Sequence, residues 1–318
     1  MQRKPCQGSP APLFCKALSL DLTMATIKRD HHDIYPFISP KGRLAGAAKG
    51  KSLLVTGGGK GVGKAIAEQF ALAGAVQITI TGRDQKALDA TKAEVEAQSP
   101  GVSVTAVAAD VTTEDAVSAI FAALPGTPDI LINNAGINAD FHIADSDPAT
   151  WWRDFEVNLK GTYLVTRAYL RLLAGKPGTI INVSTSISDA VLPNMSSYAT
   201  SKHAVNRFTE SVQLEYGAQG VRCMAFHPGG IASTGMGQRA PLQFRGSLLD
   251  TPELAAGTAL YLSTPEANYL NGRLVFADWN MEEVEKLKDS IVKDNLLVSR
   301  INWGPHISTE IVGLPPRQ

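Results

Sequence analysis

From residue 50 onward, short apolar runs alternate with segments of helical spacing, and no other feature constrains the fold as much. Ser52–Thr56 (SLLVT) is an apolar run that ends in glycines, and Gly63 to Leu72 then places Ile66, Phe70 and Leu72 at helical intervals. The alternation continues with predicted strands at Val76–Thr81, Val102–Ala108, Ile130–Asn133, Thr179–Ser184, Val221–Phe226 and Arg273–Phe276, with helices between. Apolar strands separated by helices of this length predict one α/β domain, a doubly wound parallel sheet of about seven strands with helices on both faces. Ligands in such sheets bind beyond the carboxyl ends of the strands, so functional residues are expected just after strands.

Thr56 to Lys64 reads TGGGKGVGK, between the first strand and the first helix. Glycines there let the backbone approach a phosphate, and the helix N-terminus adds free N–H groups and the positive end of its dipole. Gly58 to Lys64 matches the start of a nucleotide triphosphatase loop, but Ala65 stands where that motif needs a hydroxyl for magnesium. The other reading is dinucleotide binding, with Gly57, Gly61 and Gly63 at the GxxxGxG spacing. The second strand ends Thr81-Gly82-Arg83, and Arg83 with Lys60 is suited to the 2′-phosphate of NADP. Asp84 competes as an acid for the NAD ribose, but reads better as a helix N-cap.

Of seven tyrosines, only Tyr198 has a lysine four residues on, Lys202, in a stretch Ser196 to Arg207 that reads as helix. For a phenol to work as acid or base near neutrality its pKa must fall by about 3 units, on the order of 4 kcal/mol, and a neighbouring ammonium acts in that direction.

Taken together these motifs resemble the short-chain dehydrogenase/reductase family over roughly residues 46–280. They are TGGGKGVG from Thr56, Asp110 with Val111 (AADV), NNAG at Asn133 to Gly136, Asn158 (VNLKG), YATSK from Tyr198 and HPGGI from His227. The resemblance implies a Rossmann-type sheet. It implies NADP(H) held by Gly57, Gly59, Lys60, Gly61, Val62, Gly63, Arg83, Asp110, Val111, Asn134, Ala135, Gly136, Tyr198, Lys202, Pro228, Gly229, Ile231 and Ser233. It also implies a proton relay of Tyr198, Lys202, water and Asn158, and a homodimer or homotetramer formed through the helices bearing Asn158 and Tyr198. The family's catalytic Ser corresponds to Thr185, 13 residues before Tyr198, with Ser186 as its substitute if the loop shifts by one. A Thr hydroxyl makes the same hydrogen bonds, but its methyl restricts the rotamer. The expected activity is NADPH-dependent reduction of a ketone or other carbonyl on a medium-to-large apolar substrate, as in secondary metabolism. The alternative is a non-catalytic NADP-binding sensor or scaffold.

With 30 Lys+Arg against 30 Asp+Glu, the chain lacks the basic surface that nucleic acid requires. Cys6, Cys15 and Cys223 are scattered, and no His pair has ligand spacing, so neither a metal nor a disulfide framework is expected. His142, His203 and His227 read as loop or helix hydrogen-bonders. No apolar run is long enough to span a bilayer, and a cytoplasmic protein is expected. Residues 1–45 read as an N-terminal arm, of which 1–23 are a dispensable extension or a weak organelle-targeting signal. Residues 233–249 read as a lid over an apolar pocket walled by Val191, Leu192 and Met195. Residues 281–318 read as a helix and tail, with Asn280 capping and Met281, Val284, Leu287 and Ile291 forming one stripe.

Overall fold

The computed structural model describes residues 27–240 and 245–300. The 1–23 extension, Leu242 and Phe244 of the expected lid, and the tail beyond residue 300 with Trp303 lie outside the described residues. Seven strands form one parallel sheet: β1 Ser52–Thr56, β2 Gln77–Gly82, β3 Ser103–Ala108, β4 Ile130–Asn133, β5 Gly178–Val183, β6 Val221–His227 and β7 Leu274–Phe276. Their spatial order is β3-β2-β1-β4-β5-β6-β7. The chain winds outward from β1 to β3, then returns to place β4 on the other side of β1. That reversal opens a crevice at the carboxyl ends of β1 and β4.

Strand alternation divides the core in two. Leu53, Val55, Ile130, Ile132, Ile181, Met224 and Phe226 face one side, with helices α1 (Gly61–Leu72), α2 (Gln85–Gln98) and α8 (Pro252–Ser263). Leu54, Leu131, Ile180 and Cys223 face the other, with α3 (Glu114–Ala122), α5 (Thr162–Leu173) and α6 (Ser196–Tyr216). Because both faces are covered, β1 and β4 read as nearly continuous apolar runs, and β2 buries Thr79 and Thr81 between its isoleucines. Helix α4 (Pro148–Phe155) runs into α5 through a π-helical turn at Glu156–Gly161, and the short α7 (Gly235–Gln238) follows β6.

The arm does more than drape over the domain. Ile38, Leu44 and Ala48 are buried in the core with α1 and α8, and at Gly257 of α8 a Cβ would stand 2.7 Å from the Ile38 carbonyl oxygen. The segment is built from successive turns, so its buried residues follow neither the 2.0 nor the 3.6 period and leave no pattern to read. Its start is tied to the far end of the chain by Arg29–Asp278 and by Lys28 N–H donating to Glu283 at 3.0 Å.

Asn280 caps as expected, accepting from Glu282 and Glu283 N–H at 3.0 and 3.3 Å. Glu283 does not close a capping box; its carboxylate serves the arm instead. The stripe buries Met281, Val284 and Ile291, but the expected single helix is two, α9 (Met281–Lys286) and α10 (Lys288–Lys293). The break falls at Leu287, whose N–H bonds Val284 three residues back. The following segment covers the sheet edge, where Leu274 N–H donates to Leu297.

Candidate active site

The glycine loop joins β1 to α1 with Gly57 and Gly61 at φ +68° and +56°, which side-chain-bearing residues rarely adopt. Gly63 is required for a different reason: a Cβ there would lie 2.2 Å from the Gly57 carbonyl oxygen. The Asn134 amide donates to the carbonyls of Thr56 and Gly57 at 2.9 and 3.1 Å, and the Thr56 hydroxyl accepts from the N–H groups of Asn134 and Ala135. This bolts the ends of β1 and β4 together under the loop. No side chain caps the start of α1, so its first-turn N–H groups are available to an anion. Lys64 turns away to Glu94 and Glu68, which removes the phosphate-binding lysine that a triphosphatase loop requires.

Beyond β2, Asp84 accepts from Ala87 N–H at 3.2 Å and is thereby used as the cap of α2. Lys60 and Arg83 line the cleft and make no ion pair among the described residues. Asp110 accepts from Thr112 N–H at 3.0 Å and from Arg153 at 2.7 Å. Burial works against its charged form, yet the bonds from Thr112 and Arg153 prevail and hold the carboxyl below its ordinary range.

Tyr198 and Lys202 lie one turn apart on α6, both buried. Thr185, just beyond β5, lines the cleft beside Tyr198 and acts to favour the charged form of the phenol, and Ser186 lines the same cleft. Lys202 Nζ donates to the Val183 carbonyl at 2.7 Å. Asn158 sits in the π turn, a distortion that often marks functional positions. Its Oδ1 accepts from Ile137 N–H at 2.9 Å, and its Nδ2 donates to Ile137 O and Ser201 Oγ, each at 3.0 Å. A Cβ on Gly136 would stand 3.2 Å from Asn158 Oδ1 and 3.5 Å from Lys202 Nζ, so this glycine lets both groups converge.

The electrostatics differ from the sequence expectation. Burial raises Tyr198 to about 12, with Thr185 lowering it and Asp154 raising it further. Burial likewise lowers Lys202 to about 8, against the pull of Asp154. The expected depression of the phenol is absent because desolvation acts on both groups and disfavours phenolate and ammonium alike.

After β6, Gly229 has φ +100°, and Gly230 N–H donates to Asp250 Oδ2 at 2.6 Å. Asp250 is held in turn by His32 of the arm at 2.7 Å. Ser233 is exposed and outside the cleft; Thr234 takes its place, caps α7 and packs 3.3 Å from where a Cβ on Gly61 would be. The two side chains point opposite ways at a turn, which residue type alone does not reveal.

These elements surround one cleft of about 750 Å³. All but three of the predicted site residues line it; the exceptions are Gly63, beneath the loop, Asn158, buried behind Gly136, and Ser233. Its apolar part is made by Ile187, Leu192, Met195, Met236 and Leu248. Val191 is 96% exposed and takes no part in that wall. Sequence reasoning missed Arg29, Arg153, Asp154, Thr234, Asp250 and Asp278, and only the helix-cap position of Thr234 left a local trace.

Of the histidines, His203 bonds the Ser188 carbonyl at 3.0 Å as a helix residue can. His227 differs: it ends β6, is buried, and its Nδ1 has no partner. Burial lowers its pKa from 6.5 to about 4. The unfolded chain therefore binds more protons in that window, so stability is full above about pH 6.5 and is lost as pH falls towards 4. The unfolding free energy of the wild type, from urea titrations, is expected to fall through this range by up to about 3 kcal/mol more than that of His227→Asn. Parallel pH dependences of the two proteins would rule this out.

Among the described residues no cluster of His, Cys, Asp and Glu is placed to hold a metal ion, and no helix is long and apolar enough to cross a membrane. A parallel sheet with a glycine loop at its switch point and a buried Tyr–Lys pair beside it places this chain among the doubly wound α/β proteins of Rossmann type. A family model described as short chain dehydrogenase matches residues 51–243, and the chain belongs to that family of nicotinamide-dependent oxidoreductases. The short chain dehydrogenase mpl6 of Monascus purpureus is 36% identical over 285 residues, covering 85% of this chain and 94% of its own. The short chain dehydrogenase pigC of Monascus ruber is 34% identical, covering 84% and 90%. Among solved structures, a 3-ketoacyl-(acyl-carrier-protein) reductase from Brucella melitensis complexed with NADH matches with TM-score 0.66 at 30% identity, covering 72% of this chain and 96% of that one.

Proposed function

We propose that the chain is an NADP(H)-dependent reductase of ketones or other carbonyls on a medium-to-large apolar substrate of the kind found in secondary metabolism. The observation that carries the reading is the buried Thr185–Tyr198–Lys202 group opening onto the same cleft as the glycine loop. A bound NADPH supplies the hydride. Tyr198, raised by burial to about 12, carries its proton at neutral pH and would give it to the carbonyl oxygen once bound cofactor and substrate lower that value. Thr185 holds that same oxygen and the phenol together. Lys202, with one donor spent on Val183, keeps others for the cofactor ribose and for the tyrosinate formed on proton donation. Reprotonation through Lys202, water and Asn158 is supported by the convergence of both side chains at Gly136. The apolar wall of Leu192, Met195 and Met236 supports an apolar substrate. Self-association is part of the proposal: Trp152 and Tyr163, 58% and 45% exposed, flank a shallow apolar depression on α4 and α5.

The preference for NADP rests on Lys60 and Arg83 at the adenosine end and on Asp84 being used as a cap. Arg83→Asp is expected to weaken NADPH by at least about tenfold while sparing NADH, since it replaces a phosphate-pairing guanidinium with a repelling carboxylate. Equal affinity of the wild type for both cofactors would overturn the preference. Activity is tested by following NADPH consumption across a panel of aromatic, polycyclic and long-chain ketones. NADPH binding without turnover of any of them would leave a binding protein instead.

A further inference from the structure

Asp154 on α4 is wholly buried, one helical turn before Asn158, and the reading above gives it no task. Its Oδ2 accepts from Ser197 Oγ at 2.6 Å and from Ala139 N–H at 3.1 Å, while Oδ1 is buried with no hydrogen-bond partner among the described residues. Ser197 adjoins Tyr198 in the first turn of α6, and Ala139 lies two residues beyond the Ile137 that Asn158 holds. One turn earlier on α4, the Trp151 indole donates to Ser196 Oγ at 3.0 Å. Helix α4 thus grips the start of the tyrosine's helix at two adjacent serines. A buried carboxylate is costly unless it is bonded and charge-compensated, and a half-bonded one persists only where the fold over-determines it.

We propose that Asp154 is a positioning residue: its side chain clamps the first turn of α6, and with it Tyr198, to the segment after β4. The proposal rests on the reductase reading. Burial pushes the Asp154 carboxyl above its ordinary range, against the bonds from Ser197 and Ala139 N–H and the charge of Lys202; Tyr198 is the other ionisable group that its charge affects, and Asp140 after β4 is exposed. On its own helix, Arg153 is turned to Asp110 and Glu156. The charge acts in opposite senses on chemistry: it favours the ammonium of Lys202 and disfavours the tyrosinate, which keeps Tyr198 a proton donor.

Asp154→Asn keeps an acceptor for Ser197 or Ala139 and removes only the charge, whereas Asp154→Ala removes both. With Asn, the Tyr198 titration is expected to fall by about one pH unit. It is read from tyrosinate absorbance after a rapid pH jump, as the difference from the matching Tyr198→Phe protein. The ascending limb of alcohol oxidation should move with it. Asp154→Ala should lower kcat by about tenfold with little change in KM, and Asn should restore most of that loss. Ser197→Ala, which keeps the charge, should lower kcat several-fold without moving the titration, and serves if the Asp154 variants fail to fold. A titration of Asp154→Asn that superimposes on the wild type overturns the effect of the Asp154 charge on Tyr198, and wild-type kcat in Asp154→Ala or Ser197→Ala overturns the clamp. If the wild type reduces nothing, the reductase reading falls, yet the tyrosinate titration still reads the effect of Asp154.

Discussion

Tyr198→Phe is expected to lower the rate of ketone reduction by about 10³-fold while leaving NADPH affinity within about threefold of the wild type. In the proposed reaction the phenol is the acid that meets the carbonyl oxygen, and no neighbour is expected to take over that role. Thr185 has an alcohol whose proton is far less acidic, and Lys202 is tethered to Val183 at 2.7 Å behind the tyrosine. Phe fills nearly the same volume, and the site is buried, so the loss measures chemistry with little repacking. The Thr185 hydroxyl, which accepts from Ile187 N–H at 3.3 Å, keeps that bond in the variant. Steady-state reduction and a fluorescence titration of NADPH, performed on the same preparation, separate the two quantities. Full activity in the variant would sink the mechanism; lost cofactor binding would place Tyr198 in the cofactor contact more than in proton transfer.

The second large effect is expected at Gly63. An added methyl would meet the Gly57 carbonyl at 2.2 Å and the Asn134 amide at 2.6 Å, and neither is the free end of a flexible side chain. Gly57 cannot retreat easily, because its positive φ and its bond to Asn134 hold the turn. Gly63→Ala is therefore expected to lift the glycine loop from α1, weaken NADPH by about 100-fold and destabilise the fold by roughly 1–3 kcal/mol, the usual cost of overpacking. Gly59→Ala is the contrast: its nearest contact would be the Ala87 methyl at 3.3 Å, which needs a shift of only a few tenths of an ångström. NADPH titration and thermal melting of both variants check the pair. A Gly63→Ala protein that binds and melts like the wild type would mean that the loop is looser than the geometry implies.

How legible the molecule is from its sequence depends on the distance over which each property is set. The strands were readable to within a residue because β1 or β4 carries its signal in consecutive apolar side chains, and α6 begins at Ser196 as its spacing predicts. The glycine loop and the Tyr198–Lys202 pair were readable for the same reason. The arm was not, since Ile38 and Leu44 are buried by turns that follow no period. Nor was the choice between Ser233 and Thr234, where a turn decides which side chain enters the cleft. The α9–α10 break at Leu287 was hidden because the apolar stripe runs through it unchanged.

The sequence alone therefore determined the parallel α/β sheet, the glycine turn after β1 and the Tyr–Lys spacing on α6, all of which are local patterns of side chain and spacing. The tertiary structure decided the electrostatic state of that pair and the partners that hold it. Tyr198 lies near 12 and Lys202 near 8 because distant segments close over them and exclude water, and desolvation has no trace in a linear pattern. Asp154 meets Ser197 across 43 positions, and Arg29 meets Asp278 across 249, pairings that exist only once the chain has returned upon itself.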